Sequence, residues 1–197
     1  LAQVKPDQPE TFFAACVLAL ESCDENRIGI MLEKAATTPE ASESMISALG
    51  WITYEQAQAP IQKLLASGEA IHQSIGIAAS AFHRRDPGIY LDNGFYANDT
   101  RLKARSLRAA GEIGGRIDKL TPGHLHDQLL SADRESRFRA AWSVALLGDA
   151  WSANMYGTDE STSTTAVHLA VNILRSFVIP AFPFREAALN LAMRLMD

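Results

Sequence analysis

The stretch "AFHRRDPG", Ala81 to Gly88, sets an imidazole, two guanidinium groups and a carboxylate in consecutive positions. Such groups could move a proton and neutralise a phosphoryl group, which is the work of a phosphotransfer loop. That chemistry also needs a glycine-rich phosphate loop, a partner lysine and a metal-binding Asp-Phe-Gly, and the sequence contains none of them. Asp86 precedes Pro87, which disfavours helix at the aspartate, and Pro87-Gly88 makes a turn. The cluster therefore reads as the end of a helix, where His83, Arg84 and Arg85 oppose the negative end of the dipole. Arg84 and Arg85 can still meet an acidic group of a partner from that edge.

Other chemistry-bearing residues are more scattered. His124 and His126 form a His-x-His, but a helix places them about 200° apart, so a metal would need ligands from elsewhere. No metal, cofactor or catalytic set is expected. Residues 83–139 carry eleven Lys and Arg against eight Asp and Glu, whereas the remainder carries seven against fifteen. Within that basic middle Arg101, Arg108, Arg116 and Lys119 are the candidates for nucleic-acid contact. No aromatic residue is interleaved with them to stack on bases. Tyr90, Phe95 and Tyr96 form an aromatic cluster that is the candidate protein-partner contact, together with Arg84 and Arg85. Trp51, Trp142 and Trp151 are expected to pack in the core or between helices. His72 and His168 are read as surface or satisfied core histidines.

The elements that carry these residues are helical throughout, because no period-two run bounded by turn residues occurs. Four segments open on a capping residue, at Thr38, Ser67, Asp99 and Asp133. Each continues with small apolar residues at helical spacing, ending at Gly50, Phe82, Gly114 and Gly148. Shorter helices are expected between them, at Glu25–Ala36 and near 55–66, 89–97 and 124–131. A period in the low thirties marks stacked helical hairpins rather than a single-core domain. Small residues on the second helices (Ser106, Ala109, Ala110, then Ala140, Ser143) allow close approach.

Asp99 is followed six residues later by Arg105, and Asp133 six residues later by Arg139. At this spacing the chain resembles HEAT repeats, in which such a pair links adjacent repeats in a ladder. Ser67 with Gln73 reads as an uncharged version of the pair. "FFAACVLALES", "MISALGW", "LRAAGEIG" and "FRAAWSVALLGD" further resemble a bacterial family of uncharacterised HEAT-like proteins related to bilin lyases, over about residues 10–149. The resemblance implies a fold: an all-α superhelix, or solenoid, of about five to six hairpins in one domain spanning 1–197. An extended solenoid surface without a convergent catalytic set makes a non-catalytic protein-binding scaffold the expected function; the alternatives are nucleic-acid binding or base repair through the basic middle, and a bilin-lyase-like enzyme or chaperone by analogy of fold alone.

Charge and hydropathy bound the setting. A net charge of -5 gives no global attraction to nucleic acid or anionic lipid. The apolar run Phe12–Leu20 is about half a bilayer span. Cys16 and Cys23 lie seven residues apart, too far along a helix for a disulfide, and a reducing cytoplasm is the expected compartment. The chain opens on Leu1; the first helix (Phe12, Phe13, Val17, Leu18, Leu20) reads as apolar on nearly all sides, and Leu195 and Met196 stand uncapped at the other end. It is therefore expected to be a segment of a longer array or to pair through its ends. Residues 158–165 read as a polar loop, followed by helices to about Val178 and from Arg185 to the end.

Overall fold

Helix starts in this chain are set by side chains that take up free backbone N–H groups. Asp24 accepts from the amides of Asn26 and Arg27 at 3.0 and 3.2 Å, opening α2 (Glu25–Ala35). Thr38 accepts from Ala41 at 3.2 Å, and Pro39 fills the first position of α3 (Pro39–Trp51), where no N–H is needed. Asp99 accepts from Leu102 at 2.8 Å and opens α7 (Thr100–Ile113). Asp133 accepts from Ser136 at 2.8 Å and opens α9 (Arg134–Leu147). The computed structural model describes residues 8–114 and 121–147. Among them every regular element is an α-helix; the remaining five are α1 (Pro9–Glu21), α4 (Tyr54–Leu65), α5 (Ala70–Phe82), α6 (Ile89–Phe95) and α8 (Thr121–Leu129). None of the described helices is long and apolar enough to cross a membrane.

The helices alternate between shorter first members (α2, α4, α6, α8) and longer second members (α3, α5, α7, α9). The second members end at Trp51, Phe82, Ile113 and Leu147, so the sequence period appears in the backbone. One start differs from expectation. α5 begins after Glu69, not Ser67, because the Ser67 hydroxyl accepts from the Glu69 amide at 3.2 Å and holds a turn there. Measured from the true start, Gln73 is four residues in, whereas Arg105 and Arg139 are six. The expected equivalence of Ser67–Gln73 with the aspartate–arginine pairs therefore fails.

The helices fall into two compact units that divide between Tyr90 and Leu91. In the first, α3 lies between α1 and α5, while α2 packs on α1 and α3, and α4 on α3 and α5. In the second, α9 packs on α7 and α8. Second helices touch their predecessors at nearly constant sequence separation. Ser44 donates to the Pro9 carbonyl at 3.2 Å, 35 residues away. The His83 ring nitrogen Nε2 meets the Leu49 carbonyl at 2.9 Å, 34 residues away. Ser143 donates to the Leu107 carbonyl, 36 residues away.

Small side chains make that approach possible. Ala41, Ala48, Ala109, Ala110, Ala140 and Ala141 are fully enclosed. Cys16 is buried with them, and burial pushes its thiol up to about 12. Cys23 is exposed beyond the end of α1 with φ at 52°, so it does not continue the helical face of Cys16. α7 and α9 cross closely enough that a Cβ on Gly111 would sit 2.7 Å from the Ser143 Cα. Gly111→Ala is expected to destabilise the protein by roughly 1 to 3 kcal/mol, since backbone is in the way. Gly29→Ala, on an open face of α2 with nothing within 4 Å, is expected to stabilise by about 0.5 to 1 kcal/mol. Urea melts of the two variants check the contrast; equal shifts of the same sign would refute the crossing.

Candidate functional site

The turn at "AFHRRDPG" is a helix end. α5 stops at Phe82, Arg84 adopts φ of 50°, and the Arg85 amide bonds back to the Ser80 carbonyl at 2.9 Å. Asp86 accepts from the Gly88 amide at 2.8 Å, completing the turn. His83 reaches the Leu49 carbonyl near the end of α3. The Arg85 guanidinium lies 4.8 Å from the centre of the Tyr54 ring, whose edge meets His83 at 5.5 Å. Arg84 and Arg85 are both exposed at this edge.

The aromatic cluster does not act as one surface. Phe95 is 0% exposed, so it is core and cannot contact a partner. Its neighbour Tyr96 points outward, packs on the His124 ring at 5.1 Å and donates to Asp127 at 3.5 Å. Burial, then the Asp127 carboxylate, raises the Tyr96 phenol above its usual range. His124 also lies 3.8 Å from Asp92, so these residues tie the end of α6 to α8. Tyr90 is half-buried on α6. His124 and His126 stand on α8 as expected, and no group of three potential metal ligands occurs among the described residues.

Three arginines of α7 and α9 are drawn into ion pairs. Arg105 pairs with Glu112, which also accepts from Arg108 at 2.7 Å. Arg139 pairs with Glu135 at 3.4 Å. Burial lowers the Arg105 and Arg139 guanidinium pKa values, against the pull of Glu112 and Glu135 respectively. Arg101 is exposed on the first turn of α7. Arg116 and Lys119 lie outside the described residues, as do Trp151, His168 and the segments expected after residue 150. Asp99 and Asp133 are both helix caps. Asp133 also feels the charge of Lys103 on α7, while hydrogen bonds from Ser136 are the main cause that holds its carboxyl below the usual range.

A recurrent tie was missed in the sequence. In α3, α5 and α9 the fourth residue reaches back to a carbonyl at the end of the preceding helix or in the turn just after it. Ser42 donates to Ala35, Gln73 to Ser67 and Arg137 to Ser131, each at 2.7 Å. Carbonyls there have no partner within their own helix, so the tie satisfies a group that would otherwise need water. Lys103 occupies the same position in α7. The only signal was positional, and it became readable once the helix starts were known.

The exposed aromatic surface is elsewhere than expected. Trp51 is 73% exposed at the end of α3 instead of packing inside, and its ring stands edge-on to Phe13 of α1 at 6.1 Å. Phe82 is 62% exposed and lies over Gly50, where a Cβ would come within 2.7 Å of the ring. Trp142 is half-buried on α9 against Phe138, at 6.0 Å. Beside Phe13, a groove of about 400 Å³ runs between α1 and α3, lined by Pro9, Glu10, Glu40, Glu43, Ser44 and Ser47. No protein-family model matches this sequence, and comparison with curated proteins finds no match.

The capping role of Asp133 gives a test with a sign. Asp133→Ala is expected to cost about 1 kcal/mol at neutral pH through loss of the cap. Because the folded-state carboxyl titrates below its unfolded value, this contribution is present above the ordinary carboxylate range. It fades as pH falls through the lowered folded value. Urea melts of both proteins should therefore converge on acidification; a constant gap would refute the assignment.

Proposed function

We propose that the helical hairpins belong to a HEAT-like α-solenoid, and that the protein is a non-catalytic scaffold whose second-helix layer binds a protein partner. The near-constant separation of the links between successive second helices, and the repeated tie at their fourth residue, support the repeat reading. The observation that carries the binding reading is the Trp51 indole. It stands in solvent beside Phe13 at the edge of a groove, where an anchor residue of an interface would be placed. The basic middle supports nucleic-acid binding less well, because Glu112 and Glu135 offset Arg105, Arg108 and Arg139 on the same helices.

Capture of partners on the immobilised full chain, repeated with surface variants, tests this reading. Trp51→Glu and Phe82→Glu are expected to weaken a captured protein by tenfold or more. Ile30→Glu, an equally bulky exposed change on the first helix α2, is expected to leave it unchanged. Binding that survives Trp51→Glu and Phe82→Glu but is lost in Ile30→Glu would overturn the assignment to the second-helix layer. Binding only of nucleic acid, falling steeply with salt and lost in Arg101→Glu/Arg108→Glu, would overturn it in favour of the alternative.

A further inference from the structure

Among the described residues, the groove between α1 and α3 has one sign of charge: Glu10, Glu40 and Glu43 line it with no described lysine or arginine, and Phe13 forms part of its apolar wall. Among the described residues none of the three glutamates has an ion-pair partner. Two of them have a local reason to be acidic, since Glu10 and Glu40 stand in the first turns of α1 and α3, where the helix dipole favours negative charge. The dipole does not account for Glu43, a turn further on. Nor does it account for an indole left in water next to a phenyl ring at the same place. A carboxylate rim beside an exposed indole and a half-buried phenyl ring is complementary to a planar cation, which stacks on aromatic surface and bonds the carboxylates at once.

We propose that this groove seats an extended, arginine- or lysine-bearing segment of a protein partner. One basic side chain lies over Phe13 and Trp51, and the flanking charges face Glu40 and Glu43. The proposal rests on the scaffold reading and specifies the partner chemistry of its first unit. Ser47 adds a neutral hydroxyl to the lining. An anionic segment would meet three uncompensated carboxylates and be repelled, so the groove discriminates by charge.

The test uses the full chain and two acetylated, amidated pentapeptides, Gly-Arg-Leu-Arg-Gly and Gly-Glu-Leu-Glu-Gly. The readout is the Trp51 indole N–H in a ¹H–¹⁵N spectrum, assigned with Trp51→Phe. The arginine peptide is expected to shift that signal saturably, with weaker binding at high salt. The glutamate peptide is expected to leave it in place. Glu40→Gln/Glu43→Gln, at exposed positions, is expected to weaken binding about tenfold, or about 1.4 kcal/mol. No shift with the arginine peptide, an equal shift with the glutamate peptide, or undiminished binding in the glutamine variant would each overturn the proposal. Should the variant fail to fold, the contrast between peptides on the unaltered protein decides. If the arginine peptide fails while a captured partner remains sensitive to Trp51→Glu, the scaffold reading survives and only the charge assignment falls.

Discussion

The architecture depends on how closely one second helix can approach the next. Where Gly111 faces Ser143, any side chain on the glycine would collide with the serine's backbone and hydroxyl. At such distances backbone carbonyls come within reach of short side chains, and Ser143 can donate directly to Leu107. Ser44 does the same to Pro9 in the first unit. The stripe of alanine and serine is thus more than a space-saving device. It brings polar backbone of one helix into the apolar seam and supplies the hydroxyl that satisfies it. Leucine at the serine positions would lose both the proximity and the partner.

Helix existence and period were legible because they rest on local chemistry. Asp99, Asp133 and Thr38 announce their helices through caps that need only neighbouring amides. Ser67 misled because serine can cap a helix or hold a turn two residues earlier, and the two uses leave the same residue type in the sequence. That two-residue error was enough to align Gln73 with the wrong arginines. Arg105 and Asp99 share a spacing, yet one is drawn to Glu112 and the other to an amide. Spacing alone could not decide which of several carboxylates a long guanidinium side chain would reach.

The site was less legible than the fold, for a related reason. Phe95 and Trp51 are both aromatic residues near helix ends, and composition does not separate them. Each is the last residue of its helix, yet Phe95 is enclosed while Trp51 stands in solvent beyond the enclosed Ala48 and Leu49. Phe13, half-buried on α1, meets the exposed indole from 38 positions away in sequence. A surface pair built from residues that distant becomes visible only after the helices are laid side by side.

The tie at the fourth residue of the second helices has a consequence for how such chains diverge. Serine, glutamine and arginine do the same job at Ser42, Gln73 and Arg137. The shortest of them serves the three-residue turn between α2 and α3, and the longer ones serve the four-residue turns before α5 and α9. What each turn requires is a donor on an arm of suitable length, not a particular amino acid. Substitution can therefore run freely along this position as long as arm and turn lengthen together. Hairpins held in this way drift apart in wording while keeping the same elbow, and resemblance between them is better sought in reach and donor count than in residue identity.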